Sequence, residues 1–432
     1  MSRRSIELVI EKPAAGGRMI ARLDGQIVLV AGTLPGERVR AYVERVSKGV
    51  IYATTTEVLE ASPDRRAVTG DWMCGGNVYA HVAYPRQVEI KGEIIADAFA
   101  RIARLPLPDS LTERGRVPAN GSEEAGYRMR ARLHVRGARI GFFREGTHDL
   151  CDPRQTAQLL SGTADVLEEL AAALVRHNIG TVQSLELAEN IPGDQRALHL
   201  EVSLPADLAA LADAAAGRVT GISYSGPFSR LSSSVSGSPV VKDRLAFDSA
   251  GVGHTMLLQR NVRSFFQGNR YLLPALLTRV IGMIDDGPVV DLYAGVGLFG
   301  VALAAAGRRE VVAVEGDRTS AQDLKVNAAP YGDAIEARHE AVETFMARPA
   351  AFQDATLVVD PPRTGMSREA LAAIAGAGAR SIVYVSCDVA TLARDVRRLV
   401  DAGYLVEHVE GFDLFPNTAH VEVVVKLRKA GA

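Results

Sequence analysis

The sequence predicts an α/β protein with a small β-barrel at its amino end, and three observations lead to this prediction. The length of 432 residues exceeds that of one ordinary domain, so two or three domains are expected. Residues 5–60 alternate polar and apolar positions between Gly and Pro turns, as half-buried strands do. From about residue 261 onward, Val and Ile runs alternate with helical patterns, as in a Rossmann-like parallel sheet covered on both faces.

The composition is that of a soluble globular protein, with 47% hydrophobic and 23% charged residues. No apolar run reaches the roughly 20 residues that span a bilayer, and the start carries no recognisable secretory signal. We therefore expect a cytoplasmic protein without a membrane partner. The three cysteines are far apart and odd in number, which argues against a disulfide framework. The net charge of -2 requires that any basic surface for nucleic acid be local.

The first domain is assigned to residues 1–66 and ends in SPDRR (62–66), which has the composition of a linker. The spacing of apolar residues over 86–104 predicts a helix, which we expect to pack on the carboxy-terminal domain. Residues 67–260 are assigned to a central α+β domain. Its predicted elements are the strands RARLHVRG, ARIGFF and LHLEVSL, the helices GTADVLEELAAALVRHN and DLAALADAAA, and a loop at SSSVSGSP (232–239).

The segment 127–146 of the central domain is dense in arginine and contains a single glutamate. A solvated strand face is the ordinary explanation for such a run of charge. The alternative is a local surface that contacts phosphates, with Arg128 and Arg130 as its first members.

Residues 261–432 form the third predicted domain, and its chemistry is expected where strands end. DLYAGVGLFG (291–300) follows the first strand and opens a helix, so Gly295 and Gly297 allow a ligand to approach the backbone. Glu315 ends the second strand, where an acidic side chain binds ribose hydroxyls. This pair indicates an adenosine-bearing cofactor. The turn lacks the third glycine of the dinucleotide fingerprint at its usual spacing, which favours S-adenosylmethionine over NAD.

Two later strand ends carry reactive side chains. Asp360 precedes two prolines in DPPRTG (360–365), and a rigid turn with one carboxylate suits substrate positioning, although an ordinary turn is the alternative. Cys387 lies between Ser386 and Asp388 after the strand SIVYVS. A cysteine beside an apolar strand is usually a small core residue. Its place at a carboxyl end instead favours a nucleophile, which needs partial exposure and a stabilised thiolate.

Glu422 completes the set in HVEVVVK, where period-two spacing predicts that it shares a strand face with His420. A carboxylate inside an apolar strand is costly unless it has a partner or a task. A hydrogen-bonded glutamate of an edge strand is the alternative interpretation.

Five motifs, in their order and spacing, resemble those of the RNA uracil-5-methyltransferases. They are DLYAGVGLFG, VEGD, DPPRTG, VYVSCDVATLARD and FPNTAHVE. These enzymes transfer a methyl group from S-adenosylmethionine to carbon 5 of uridine in tRNA or rRNA. The resemblance is densest from about 263 to 427. The amino-terminal strands resemble the small TRAM RNA-binding barrel, and SFFQGN (264–269) resembles the F-x-Q-x-N segment of the family.

The resemblance implies a role for each motif residue. Cys387 would be the nucleophile and Glu422 the general base. Leu298 stands where the family commonly has asparagine, which removes one polar contact to the cofactor. The resemblance also implies cofactor contacts by Gln267, Tyr293, Glu315 and Asp360, and a contact of Phe265 with the target base. We further expect Gly295 and Gly297 to contact the cofactor, and Arg363, Arg128 and Arg130 to contact RNA.

One branch of the family binds an iron-sulfur cluster through C-x6-C-x2-C and a fourth cysteine. Here only Cys74 and Cys151 stand at those positions, and Ala67 and Asn77 occupy the other two. Two thiolates cannot supply the usual four ligands. We therefore expect no cluster, with the two cysteines as remnants that pack close together.

The predicted function is C5 methylation of a uridine in RNA through a covalent cysteine adduct, by a monomeric enzyme. The TRAM-like barrel favours 23S rRNA over tRNA, because bacterial relatives that act on tRNA usually lack it. A cytosine-5 methyltransferase would generally carry a cysteine in the motif at DPPRTG, and an amino-group methyltransferase an aromatic residue where Arg363 stands. A non-catalytic RNA-binding factor with this fold would leave Cys387 and Glu422 without a task.

Overall fold

A computed structural model of the chain describes residues 5–137, 139–204, 207–226, 232–348, 352 and 354–431. Three parts of the predicted elements lie outside the described residues. They are residues 1–4 of the first domain, residue 432 of the third domain and residue 138 of the strand ARIGFF. Among the residues described, no helix is both long and apolar enough to cross a membrane.

The amino-terminal strands form a closed barrel in the order β1-β2-β3-β5-β4. Buried and exposed residues alternate from Ser5 to Ile10 in β1, and Ile6, Leu8 and Ile10 fill the barrel interior. The prediction of an all-β segment over 5–60 is confirmed. The strands are β1 (Ser5–Pro13), β2 (Met19–Leu23), β3 (Gln26–Ala31), β4 (Arg38–Ser47) and β5 (Val50–Glu60).

The predicted helix over 86–104 is α1 (Tyr84–Ala98), which continues as a π-helical turn at Phe99–Ala103. Its residues Ile95, Ala98 and Phe99 are buried in the same apolar cluster as the carboxy-terminal sheet. Buried Lys91 on this helix pairs with buried Asp413. The helix therefore connects the barrel to the carboxy-terminal part of the chain.

The central region contains a seven-stranded sheet in the order β13-β12-β11-β10-β7-β8-β9, with α2 and α3 packed on one side. The predicted loop at 232–239 is wrong in part, because Ser233–Gly237 pair with β12 as an edge strand. The elements are β6 (Ala119–Asn120), β7 (Arg130–Arg136), β8 (Arg139–Phe143), β9 (Leu150–Cys151), α2 (Ser161–Arg176), β10 (Val182–Glu189), β11 (Arg196–Val202), α3 (Ala209–Ala214), β12 (Gly221–Ser225) and β13 (Ser233–Gly237).

A hairpin of β14 (Val240–Ser249) and β15 (Val252–Asn261) precedes the last region. Its inward side chains Leu245, Phe247, Met256 and Leu258 belong to the apolar cluster of the carboxy-terminal helices.

The carboxy-terminal region is built on an eight-stranded sheet in the order β18-β17-β16-β19-β20-β22-β21-β6. Neighbours from β18 to β20 are parallel, whereas β22 is antiparallel to both β20 and β21. The Rossmann-like prediction is confirmed. Its elements are α4 (Leu273–Gly282), β16 (Val289–Leu292), α5 (Leu298–Ala305), β17 (Val311–Glu315), α6 (Arg318–Ala328), β18 (Ile335–His339), α7 (Val342–Met346), β19 (Thr356–Val359), α8 (Arg368–Gly376), β20 (Ser381–Ser386), α9 (Val389–Asp401), β21 (Tyr404–Phe412) and β22 (Glu422–Lys429).

Candidate active site

The register of β20 and β22 places Cys387 and Glu422 at the same end of this strand pair. The last paired residues of β20 and β22 are Ser386 and Val423. Cys387 follows Ser386 and Glu422 precedes Val423, so both residues lie next to this last pair, and both line the same two cavities. Asp388 then caps α9 by accepting hydrogen bonds from two backbone amides of its first turn, which fixes the sharp exit from the strand.

Parallel register gathers the other predicted residues at the same edge of the sheet. Leu292 pairs with Val314 and Val359 on its two sides, so the residues that follow lie next to one another. These residues are Tyr293, Glu315 and Asp360. The edge is the carboxyl end of the parallel strands, where ligands bind in such sheets.

Two cavities meet at this edge. The first, of about 580 Å³, is lined by Tyr293, Gly295, Glu315 and Asp360 and ends at Cys387. The second is a cleft of about 680 Å³ that extends from the same cysteine across the central sheet to the barrel. Five side chains line both spaces: Arg130, Phe265, Arg363, Cys387 and Glu422.

The segment that follows β15 contributes two of the predicted residues. Gln267 is buried, and its Nε2 donates to Asp360 Oδ2 at 3.2 Å. Phe265 is 55% exposed, which is unusual for a large aromatic ring beside a cavity. Arg130 lies over this ring, with its guanidinium carbon 5.8 Å from the ring centre. Gln267 lines the larger cleft, and Phe265 lines both the cleft and the smaller cavity.

Gly297 does not line the cavity next to Glu315, so its contact with the cofactor stays a prediction. Its φ is +96°, and a Cβ there would lie 2.6 Å from Val301 Cγ2 and 2.8 Å from Leu324 Cδ1. This glycine is needed for the start of α5 and for close packing. Gly295 does line the cavity, and the nearest atom to a Cβ added there would be 3.8 Å away.

The pKa values of three carboxyl groups of the site are raised. Burial raises the pKa of Asp360 to about 8, helped by the nearby Asp291 carboxyl. Burial also raises the pKa of Glu422, and Asp360 adds to this effect. Burial raises the pKa of Glu315 too, although its carboxylate accepts a hydrogen bond from Gly295 N at 2.8 Å.

Cys387 is a free, half-buried thiol. Burial raises its pKa to about 12, and the negative charges of Glu422 and Asp360 act in the same direction, against the guanidinium of Arg363. The expectation of a stabilised thiolate is therefore not met in the site as it stands. Proton release from Cys387 requires a change in these surroundings.

The loop before β22 holds His420, which was expected on the strand. The strand begins at Glu422, so His420 lies in the preceding loop. Arg363 donates to the imidazole of His420, at 2.7 Å from Nδ1. Burial and the charge of Arg363 lower the pKa of His420 to about 4, so the ring is neutral near pH 7.

A second part of the site was not predicted from the sequence. Asn417 has a φ of +63°, and its side-chain oxygen accepts from Arg66 and from Gln87, both at 2.8 Å. Its backbone N–H donates to Gln87 Oε1 at 2.9 Å. The FPNT sequence was recognisable as a turn, but its partners on α1 and after the barrel are more than 300 residues distant in the chain.

Arg128 and Arg130 both line the cleft, as predicted for RNA contacts. The Arg128 guanidinium donates to Gln158 and to the carbonyl of Arg130. Burial lowers its pKa. Among the described residues no carboxylate lies within ion-pair distance of it, so its charge faces the cleft without an acidic partner.

Cys74 and Cys151, which we expected to be remnants of a cluster site, form a disulfide with a Cα–Cα distance of 5.7 Å. They are therefore adjacent, as expected. No group of three or more His, Cys, Asp or Glu that could hold a metal occurs in the described part of the chain. The residues present do not fit a four-thiolate cluster.

Comparison with known proteins gives matches over nearly the whole chain. The model of the tRNA (uracil-5-)-methyltransferase family matches residues 240–430, and that of the TRAM domain matches residues 1–55. The 23S rRNA (uracil(1939)-C(5))-methyltransferase RlmD of Pseudomonas savastanoi pv. phaseolicola is 32% identical over 438 residues, which cover 96% of this chain and 92% of that protein. An uncharacterized RNA methyltransferase of Streptomyces coelicolor is 30% identical over 442 residues, with coverages of 98% and 93%.

A solved structure has the same fold. It is the Pyrococcus abyssi tRNA (uracil-54, C5)-methyltransferase in complex with S-adenosyl-L-homocysteine. The TM-score is 0.72 at 23% identity, and the match covers 98% of this chain and 100% of the other.

Proposed function

The chain belongs to the RNA uracil-5-methyltransferase family, and from this premise we propose that it methylates carbon 5 of one uridine through a covalent bond to Cys387. The observation that carries the proposal is that Cys387 and Glu422, each next to the last paired residues of β20 and β22, both line the two cavities where these meet. One cavity suits the methyl donor and the other suits RNA. This reaction gives both side chains a task.

S-adenosylmethionine is the proposed methyl donor, and the residues of the smaller cavity fit it. Glu315 offers a carboxylate to ribose hydroxyls, and Gly295 leaves open space where a side chain would intrude. Tyr293 and Asp360 would line the remaining surface, and Gln267 would orient Asp360. When bound, the cofactor supplies an electrophilic methyl group at the end of the cavity that holds Cys387.

The chain's own residues would then act in sequence on the uracil ring. Cys387 loses its proton to solvent water, its sulfur bonds to carbon 6, and the electrons of the carbon 5–carbon 6 double bond make carbon 5 nucleophilic. After carbon 5 carries the methyl group, Glu422 accepts the proton from carbon 5. The double bond re-forms, the carbon–sulfur bond breaks, and the electron pair returns to sulfur.

RNA must present an unstacked uridine to this site, which costs a few kcal/mol. Phe265 is exposed at the junction of the two cavities, where it can contact the extruded base. Arg128, Arg130 and Arg363 line the cleft and can contact phosphates or base edges. These contacts would offset the cost of extrusion.

We propose 23S rRNA as the substrate, because RlmD relatives with that printed activity align along nearly the whole chain. The P. abyssi structure of similar fold is named for a tRNA activity, so tRNA is the second candidate. Mapping 5-methyluridine in rRNA and tRNA of cells with and without the gene distinguishes the two.

The direct test is methyl transfer by Cys387→Ala with RNA from cells that lack the protein. We expect incorporation of labelled methyl groups to fall by at least about 10³-fold, because no other described cysteine lines the site. Cys387→Ala should still bind the methyl donor, measured by calorimetry. Normal methylation by this variant would contradict the covalent mechanism.

A further inference from the structure

The outer face of the β7–β8 hairpin continues the cleft away from Cys387. In β7, Ala131, Leu133 and Val135 are buried in the central core. The intervening residues point the other way, because side chains alternate along a strand. The cleft is lined on this side by Arg128, Arg130, Arg132, His134 and Phe143.

Two of these side chains form a flat aromatic pair. The rings of His134 and Phe143 lie 3.6 Å apart with an angle of 9° between their planes. Both residues are half-buried. The ring of His148 meets Phe143 edge-on at 5.2 Å. Burial and the neighbouring Arg132 lower the pKa of His134.

The opposite wall of the cleft comes from the barrel and from Trp72. A Cβ at Gly32 would lie 2.9 Å from Trp72 Cη2, so the indole sits directly against the barrel. Gly16 and Gly17 line the same wall. The hairpin side of the cleft therefore presents arginines followed by aromatic rings, and the other side presents glycines, Arg18 and the indole of Trp72.

We propose that the His134–Phe143 pair stacks a second nucleobase, that of an unpaired nucleotide close to the target uridine in the same RNA strand. This inference rests on the proposed function and adds a nucleotide site to it. Single-stranded RNA is bound by cations that follow its backbone and by rings that stack its bases. A single cleft contains both this pair and Cys387, so one RNA segment can reach both.

A short RNA allows the second site to be measured directly. The probe is a heptamer with one uridine at its centre and cytidines elsewhere, compared with heptamers in which one flanking position is abasic. Trp72 is the only tryptophan of the chain and lines the cleft, so its fluorescence reports binding. We expect one abasic position to weaken binding to the wild type by about tenfold, since stacking contributes about 1–3 kcal/mol per base.

Variants then assign that loss to the aromatic pair. Phe143→Ala should bind the intact heptamer about tenfold more weakly and should lose no further affinity with the abasic heptamer. Phe143→Tyr and His134→Phe retain the rings and should behave like the wild type. Tyr271→Ala removes an exposed aromatic ring outside the cleft and should change neither affinity.

The proposal would be overturned if Phe143→Ala and the wild type bound the intact heptamer with equal affinity. It would also be overturned if the abasic position weakened binding to Phe143→Ala as much as it weakens binding to the wild type. If Phe143→Ala does not fold, His134→Ala gives the same comparison. Failure of the proposed function is distinguishable, because the wild type would then transfer no methyl group to any RNA. Equal competition by heptaglutamate and the heptamer would show an acidic-peptide surface and would also count against the nucleobase site.

Discussion

At the scale of single residues, the geometry of Cys387 suits a nucleophile, but its acid–base state does not. The thiol has a pKa of about 12 because of burial and two nearby carboxyl groups. A thiol attacks as its thiolate. Activity therefore depends on loss of a proton that the free site holds tightly, and Glu422, which must accept a proton later, also holds one tightly.

The pH dependence of methylation follows from these raised pKa values. The thiolate fraction grows tenfold per pH unit below the pKa, so kcat/KM for RNA should rise from pH 6 to pH 8 without a plateau. Initial rates of methyl incorporation measure this, with RNA affinity determined at each pH as the control. A flat profile in this range would contradict a protonated Cys387 thiol in the free enzyme.

Asp291 gives a prediction for stability. It is fully buried in β16, accepts from Gly300 N at 2.8 Å, and has its pKa raised to about 7 by burial. Its unfolded pKa is about 3.9. The folded state therefore binds the proton more tightly, and this stability is complete below about pH 4 and is lost as pH rises to about 7.

Asp291→Asn keeps the acceptor and removes the titration. Between pH 5 and pH 8, the free energy of unfolding of the wild type should fall more than that of the variant, by a few kcal/mol. Urea unfolding at both pH values measures this difference. Glu336→Gln changes an exposed carboxyl in a neighbouring part of the sheet and serves as the control. The prediction would be contradicted if the free energy of unfolding changed equally between pH 5 and pH 8 in the wild type and in Asp291→Asn.

The residue types and strand ends of the site could be predicted, because each motif follows an apolar strand. Sequence spacing could not distinguish Gly295, which lines the cavity, from Gly297, which packs against Val301 and Leu324. That difference depends on the helix that follows and on its neighbours. Nor could the sequence show the raised pKa of Cys387, because the two carboxyl groups come from other strands.

At the scale of elements, the loop before β22 is held by α1. Gln87 Nε2 donates to Asn417 Oδ1 and to the carbonyl of Val82, and Gln87 Oε1 accepts from Asn417 N. Lys91, one turn later, pairs with Asp413 at the start of the loop. The loop leads directly to Glu422, so α1 positions the proposed base.

Gln87→Ala should therefore lower kcat with little effect on affinity for the methyl donor. We expect about a tenfold loss of kcat and a destabilisation of about 1–3 kcal/mol, because buried Asn417 loses both of its hydrogen bonds to Gln87. Methylation at saturating RNA and thermal unfolding measure the two effects. Arg86→Ala removes a neighbouring side chain that pairs with glutamates of its own helix and should leave kcat unchanged. An unchanged kcat in Gln87→Ala would contradict the positioning role.

Strand and helix predictions succeeded where the apolar period is clear and failed at short or edge elements. β13 consists of serines, glycine and one valine, and only its pairing with β12 makes it a strand. The β14–β15 hairpin was grouped with the central domain, but its inward side chains pack with the carboxy-terminal helices. We propose that the carboxy-terminal domain begins near residue 240.

At the scale of the whole molecule, the active site is assembled by all three regions of the chain. The cleft takes residues from the barrel, the central sheet and the carboxy-terminal sheet. Segment composition predicted the barrel and the α/β region separately. It could not predict the cleft between them, because the contacts join residues that are distant in the chain.

The disulfide between Cys74 and Cys151 was not expected, since structural disulfides are rare in the cytoplasm. It closes a separation of 77 residues, so Cys74→Ser should lower the free energy of unfolding by about 2–4 kcal/mol under oxidising conditions. Non-reducing peptide mass spectrometry should show the cross-link and leave Cys387 free for alkylation. The wild type with its disulfide reduced should have the same free energy of unfolding as Cys74→Ser. Protein purified without oxygen that contains about four irons per chain would contradict the absence of a cluster.

The most direct test of the covalent mechanism is intact-protein mass spectrometry of Glu422→Gln after reaction with substrate RNA and S-adenosylmethionine, followed by nuclease digestion. Glutamine cannot accept the carbon 5 proton, so we expect a methylated uridine bonded to the peptide that contains Cys387. The double variant that combines Glu422→Gln with Cys387→Ala should show no mass that corresponds to this adduct. Full methylation of RNA by Glu422→Gln with no adduct at any time point would contradict both the covalent bond to Cys387 and the role of Glu422 as the base.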